Sequence, residues 1–354
     1  MMMMMMMFAV QPSLATPQPT GIVMSGMRST GSLHLGHYMG VLKNWVALQH
    51  QHSCFFMVAD WHALTTKYDD TKQIPQYRIE TVLDWLAAGL EPEQCVIYFQ
   101  SQIPEIAELH LLLSMMTPVK WLETDPTLKD MIAIRKTGDT ASTGEELNYG
   151  LLGYPVLQTA DILAVGGQLV PVGKDQLAHL EISRDIARRF NHVVGEAVFS
   201  EPKPLLTETP LLLGLDGRKM SKSYNNTVFL KETDDETWVK IKTAITDAQR
   251  LKKTDPGNPQ ACVAVFPWYQ IFTGTAEQTT VAQECEQALR GCMDCKKQLT
   301  ERVNETMRPL RERRRLFEQD LSVVHQILET GQLQAREQAA SVLQRVRSVL
   351  HVAV

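Results

Sequence analysis

The 354-residue sequence has no apolar run approaching the roughly 18 residues that a membrane span needs. Cysteine is sparse. Six in the whole chain make no disulfide framework of the kind that staples small secreted domains. An excess of positive charge is also missing: 35 Lys and Arg against 40 Asp and Glu leave a net charge of −5, which as a total argues against a dedicated nucleic-acid binder. No basic residue precedes Arg28, so the Met-rich opening tract lacks the n-region of a signal peptide. Residues 1–20 therefore read as a disordered extension, and a cytoplasmic location with reduced thiols is expected. What remains is globular in composition, 44% hydrophobic and 21% charged. The length suggests about two domains.

From Gly21 onward short apolar runs alternate with helical patterns. Gly21–Ser25, Cys54–Ala59, Val96–Phe99 and Gln168–Val172 predict strands. Leu35–His50, Pro75–Gly89 and Glu105–Met116 predict helices between them. Strands separated by helices imply βαβ units and a parallel sheet, which binds ligands beyond the carboxyl ends of its strands. The polar, turn-rich segment 123–146 reads as a loop. Past about residue 232 the strand pattern stops. Ala339, Val342, Leu343, Val346, Val349 and Leu350 keep a helical period on one face. The expected fold class is α/β: a Rossmann-like parallel-sheet nucleotide-binding domain over 21–228, with a helical insertion around 105–165. An all-helical domain over 229–354 follows it.

Two segments carry chemistry. After the first strand, Ser25-Gly26-Met27-Arg28-Ser29-Thr30-Gly31 leads into His34-Leu35-Gly36-His37. A Gly-rich turn opening a helix offers free N–H groups and a positive dipole end to phosphate. His34 and His37, three apart, can face one side of the first turn and donate to phosphoryl oxygens. A capped helix with two surface imidazoles has the same pattern, and H-x-G-H alone arises by chance in about one chain in twenty. The second segment is Lys219-Met220-Ser221-Lys222-Ser223. Two ammonium groups three apart can bracket pyrophosphate, and the serines add hydroxyl donors. Its chance frequency is about one chain in ten thousand.

In that order, the two segments resemble the signatures of class I aminoacyl-tRNA synthetases. The resemblance implies that they clamp ATP during amino-acid adenylation. On it, His34, His37, Lys219 and Lys222 are the candidate catalytic residues. Arg28, Ser29, Thr30, Gly36, His37 and the loop Lys219, Met220, Ser221, Lys222 and Ser223 are candidate ATP contacts.

Between the signatures lie Asp60-Trp61-His62, Tyr154 through Asp161 and Leu163, and Val170-Pro171-Val172-Gly173-Lys174-Asp175-Gln176. This set is similar to the tryptophanyl-tRNA synthetase family from about Val23 to the C-terminus. Tyr154, Gln158 and Asp161 fall on one helix face, and a carboxylate there can accept the indole N–H, the only polar group of that ring. The resemblance adds His62 to the tryptophan pocket and gives Tyr154 and Gln176 the substrate's α-amino group. It places Gly173, Lys174 and Asp175 on the nucleotide side. A structural network of Tyr, Gln and Asp satisfying one another is the plainer alternative. Gln158 stands where many members have Met, and Lys174 where Glu is usual. The Tyr-x3-Gln-x2-Asp spacing also resembles the tyrosine pocket, so tyrosine is the second candidate substrate. A small-molecule nucleotidyltransferase shares H-x-G-H but typically lacks the second loop.

Cys262, Cys285, Cys292 and Cys295 crowd into 34 residues, while Cys54 and Cys95 read as core thiols. Four clustered thiols suggest one metal centre, zinc generically. Their spacing matches that of a subset of bacterial members carrying a 4Fe–4S cluster. Directly after them, Lys296 to Arg315 holds eight basic and three acidic residues, a candidate phosphate-backbone surface. The implied partners are L-tryptophan, ATP with Mg²⁺ and tRNA(Trp). A homodimer is carried over from the family.

Overall fold

The computed structural model describes residues 21–125, 128, 148–173, 176–206 and 212–353. The expectations for residues 1–20, for Lys174 and Asp175, and for most of the 123–146 loop lie outside them. Five parallel strands form the sheet, in the order β3-β2-β1-β4-β5. They are β1 (Ile22–Met27), β2 (Ser53–Val58), β3 (Cys95–Phe99), β4 (Leu169–Val172) and β5 (Lys203–Leu206). β2 is buried at five successive positions, the continuous apolar run expected of a parallel strand covered on both faces. β5 was not foreseen. Its Lys-Pro-Leu-Leu has exposed ends and an edge position, where Pro costs no ladder bond.

The first helix is built in three pieces: α1 (Leu35–His37), a π turn (Tyr38–Leu42) and α2 (Lys43–Leu48). Then come α3 (Asp60–Lys67), α4 (Ile74–Ala88), α5 (Pro104–Ser114), α6 (Val119–Glu123), α7 (Tyr149–Ala164) and α8 (Leu177–Val194). Past residue 206 every described regular element is helical: α9 (Asp234–Ile241), α10 (Val265–Phe272), α11 (Thr275–Glu286), α12 (Cys292–Gln319) and α13 (Leu321–Val349), with short 3₁₀ turns. Among the described residues no helix is long and apolar enough to cross a membrane.

The two sheet faces carry separate cores. One joins Trp45, Phe56 and Trp85 to Trp268, Val303 and Met307 of the later helices. The other joins Tyr98, Ile106, Val156, Ile162 and Phe190. α13 contributes to both: Val324 and Leu328 to the first, Ala335, Ala339 and Leu343 to the second. It passes over the edge strand β3 at Gly331, where a Cβ would stand 2.0 Å from the Ile97 carbonyl oxygen. Only glycine allows that approach, which covers an otherwise open strand edge.

The basic run of α12 differs from expectation. Arg314 pairs with Asp84 and Glu80, Arg308 and Arg311 with Asp234, and Arg302 with Glu277 and Glu305. Arg313 Nε donates to the Ala87 carbonyl and Lys296 Nζ to that of Lys242. The charge run is thus mostly the docking face of α12, because acidic residues elsewhere in the chain meet it.

The α13 crossing is testable. Gly331→Ala should cost about 1–3 kcal/mol in urea unfolding, the usual penalty for overpacking. A loss under about 0.5 kcal/mol, that of an ordinary surface change, would contradict the described contact.

Candidate functional site

The strand order reverses at β1, which lies between β2 and β4. Open parallel sheets bind ligands at such a point. A cleft of about 430 Å³ opens there, lined by Met24–Arg28 at the end of β1 and Val170–Gly173 at the end of β4. Arg28, His37, His62, Tyr154, Gln158, Asp161, Gly173 and Gln176 all line it. These residues, scattered over 149 positions of sequence, come together as the two motif sets require.

Asp161 is only 1% exposed, at the C-terminal half of α7. Its Oδ2 lies 2.8 Å from His62 Nε2, and its Oδ1 accepts from Gln100 Nε2 at 2.7 Å. Gln100 Oε1 in turn accepts the N–H groups of Trp61 and His62 at the start of α3. Those two donors fix which end of the amide faces Asp161. Burial pushes the Asp161 carboxyl above its usual range, and His62 and Gln100 oppose that push. Each oxygen keeps a second lone pair for a ligand donor. Gln100 was not foreseen, since a polar residue just past a strand belongs to no motif.

Tyr154 has a second anchor that the sequence did not reveal. Its hydroxyl donates to Asp125 Oδ2 and stands 3.2 Å from His179 Nδ1, itself 3.1 Å from the same carboxylate oxygen. Both partners are buried.

In the first signature, His37 Nδ1 accepts the backbone N–H of His34 at 3.2 Å. Neutral His37 therefore carries its proton on Nε2, and the ring faces the cleft. The two rings are 3.8 Å apart at their centroids. Burial, then the neighbouring Lys222, push His34 down to about 4. Burial, then His34 and Lys222, push His37 down to about 3. Both are neutral donors at pH 7. A Cβ at Gly36 would meet the His34 ring at 3.0 Å, so this glycine makes room for the imidazole. Ser29 is 1% exposed.

The second signature closes against the first through one lysine. Lys222 Nζ donates to the Thr30 carbonyl at 3.0 Å. Burial pushes Lys222 down to about 8 against the pull of Asp84, so it is a cation at pH 7. Lys219 and Ser223 are exposed, Met220 is buried and Ser221 is half-buried. Of the expected pair of bracketing ammonium groups, Lys222 is bonded to the turn and Lys219 stands exposed. Asn226, unforeseen, shapes the loop: its Oδ1 accepts the Ser221 N–H and its Nδ2 donates to Asp216 and to the Lys219 carbonyl.

The four clustered cysteines are free thiols, half-buried, at the end of a 3₁₀ turn, on α11 and in the first turn of α12. They lie close enough for charge on one to raise the pKa of another. Arg250 Nη1 is 3.7 Å from Cys285 Sγ, and the Lys296 ammonium feels Cys262, Cys292 and Cys295. Among the described residues, however, no three His, Cys, Asp or Glu side chains converge closely enough to hold a metal ion. Cys54 and Cys95 face each other across β2 and β3 as buried core thiols.

The depressed imidazoles make stability depend on pH. In the unfolded chain they titrate near 6.5. With folded values of about 4 and about 3, the unfolded state takes up protons first as pH falls. Their contribution is whole above about pH 6.5 and is lost toward pH 4 and 3, costing about 1–2 kcal/mol per imidazole by pH 5. The double variant His34→Asn, His37→Asn should flatten the urea midpoint between pH 6.5 and 5. An equally steep decline in the variant would assign the loss to other groups.

Comparison with known proteins agrees with this geometry. Residues 17–308 match the family model described as tRNA synthetases class I (W and Y). A tryptophan–tRNA ligase of Aquifex aeolicus is 40% identical, over 93% of this chain and 99% of its own. One of Thermotoga maritima is 43% identical over the same shares. The crystal structure of tryptophanyl-tRNA synthetase from Campylobacter jejuni, complexed with ADP and tryptophan, superposes with a TM-score of 0.83 at 31% identity, covering 93% of this chain and 99% of that one. The chain belongs to the class I tRNA synthetase family that comprises the tryptophan and tyrosine enzymes.

Proposed function

We infer that this chain is a tryptophan–tRNA ligase, activating L-tryptophan with ATP and passing it to tRNA(Trp). The observation that carries the reading is the buried Asp161 carboxylate in the cleft, held on both oxygens and open to a ring donor of an aromatic substrate. The choice of indole over the tyrosine phenol, which also carries a donor, rests on the relatives. Indole offers one N–H, and a desolvated acceptor discriminates strongly against rings without one. The names of the relatives at 40% and 43% identity support the same substrate.

No protein nucleophile is needed. The tryptophan carboxylate attacks the α-phosphorus of ATP, the bond to pyrophosphate breaks, and tryptophanyl adenylate forms. A hydroxyl of the terminal ribose of tRNA then attacks the acyl carbon and releases AMP. ATP enters as its Mg²⁺ complex, a substrate. The chain's work is to position and to stabilise charge. Tyr154 and Gln176 hold the α-amino group, Gly173 and Asp175 take the ribose side, and Lys174 adds charge beside the ATP. Neutral His37 donates from Nε2 to the phosphoryl oxygens, beside His34. Lys222 offers a cation to the leaving pyrophosphate, with Lys219 reaching in from the exposed side of the loop. The remaining ATP contacts are the backbone and side chains of Arg28, Ser29, Thr30 and Gly36 with Met220, Ser221 and Ser223.

The four-thiol set fits a soft metal centre in its chemistry: free cysteines, no disulfide, and cations beside them. We propose that Cys262, Cys285, Cys292 and Cys295 hold a 4Fe–4S cluster, with zinc as the alternative. Such a group would cross-link the 3₁₀ turn, α11 and the start of α12. The same reading places the protein in the cytoplasm and divides the chain at 228/229 into a catalytic and a tRNA-binding helical domain. It also makes the chain a homodimer. Exposed Leu111 on α5, Met115 just past its end and Val119 at the start of α6 support a partner there.

Pyrophosphate exchange tests the function. Tryptophan, and not tyrosine, should drive exchange of label between pyrophosphate and ATP. Lys222→Ala should slow it about 10²–10³-fold, as for loss of one preorganised donor. Exchange with tyrosine alone, or none from folded protein, overturns the reading. For the metal, anaerobically prepared protein should be brown and contain iron with acid-labile sulfide. A colourless protein with one zinc per chain would replace the cluster.

A further inference from the structure

We propose that Arg314 is a positioning residue for the ATP half of the site, acting from α12 through two carboxylates of α4. The proposal rests on the ligase reading and concerns how its first signature turn is held. Arg314 is 3% exposed and Asp84 0%, so the pair is sealed from water. One guanidinium nitrogen, Nη1, bonds Asp84 Oδ1, while Nη2 donates to Glu80 Oε2 at 2.6 Å. Nε is held by Glu318 at 2.8 Å.

Each α4 carboxylate reaches onward to a different strand of the active-site turn. Asp84 Oδ2 accepts the N–H of Leu33 at 2.9 Å, the residue directly before His34. Glu80 Oε2 also meets Lys231 Nζ at 3.4 Å. Lys231 ends the segment that straps the signature turn: Leu35 donates to the Val228 carbonyl, Leu230 to that of Leu33, and His34 bridges Phe229. A single arginine thus holds both walls of the turn that carries His34 and His37. Glu80 and Asp84 are four apart on α4, one helical turn, so both reach the same guanidinium.

Neither end of this chain touches the tryptophan pocket. The Asp161, His62 and Gln100 network draws on α3, α7 and the segment after β3. Loss of Arg314 leaves Asp84 buried without its cation. Burial already pushes that carboxyl up to about 6, against the pull of Arg314 and the Leu33 N–H. The Leu33 tether then loosens, and the imidazoles shift relative to the phosphates. Displacement of about 1 Å in such groups can cost on the order of 10²-fold in rate.

Arg314→Met keeps the stem and removes the charge. We expect kcat/KM for ATP in pyrophosphate exchange to fall about 10–100-fold, with KM for tryptophan within about twofold of wild type. Arg314→Lys should recover part of the loss. Asp84→Asn keeps the shape of the acceptor and gives the same split should Arg314→Met fail to fold. Equal losses for ATP and tryptophan, or no loss in either, would overturn the proposal. Wild-type exchange reports the ligase reading separately. If wild type shows none, ATP binding to wild type and Asp84→Asn by calorimetry still decides the role of the pair: equal affinity overturns it.

Discussion

A carboxylate at 1% exposure is expensive unless it is bonded, and Asp161 is the constraint around which the cleft is built. Its position calls for His62 on α3 and Gln100 after β3, and Gln100 calls for the start of α3 in turn. Three elements from three parts of the chain are thereby locked to one oxygen pair. A donor arriving from the cleft meets an acceptor whose orientation is already set, so little reorganisation is left for binding. Selectivity in this account comes from the difference between filling a remaining lone pair of that carboxylate and leaving it buried and unfilled.

The nucleotide side follows a different logic. Its imidazoles are kept neutral by burial and by Lys222, so positive charge at the turn rests on Lys222 and Arg28 and not on the rings. A neutral donor and a cation side by side divide the labour: one hydrogen-bonds without repelling its neighbour, the other meets the developing charge. The turn itself is held by backbone bonds to 228–230 and by the carboxylates of α4. The helices after residue 232 share a core with the sheet, so the signature turn sits on packing from both regions.

Much of this was legible in the sequence. Four strands were found within two residues because buried parallel strands read as short β-branched or aromatic runs. The face made by Tyr154, Gln158 and Asp161 followed from helical spacing alone. What escaped detection were single polar residues whose partners follow no local motif, near or far in sequence. Gln100, Asp125 and Asn226 carry no local pattern, and their roles depend on contacts 61, 29 and 5 residues away. The π turn at Tyr38–Leu42 has no compositional mark. The basic run of α12 was misleading for a related reason. A charge count does not distinguish an arginine facing water from one such as Arg314, sealed against two carboxylates.

The most direct test of the account replaces the indole N–H of the substrate. The tryptophan analogue with benzothiophene in place of indole keeps the shape of the ring and lacks the donor. With it, kcat/KM in pyrophosphate exchange should fall on the order of 10⁴-fold, as for a site built to bond a group the ligand lacks. A value within about threefold of that for tryptophan, no more than the loss of a weak apolar contact, would show that Asp161 does not read the indole nitrogen.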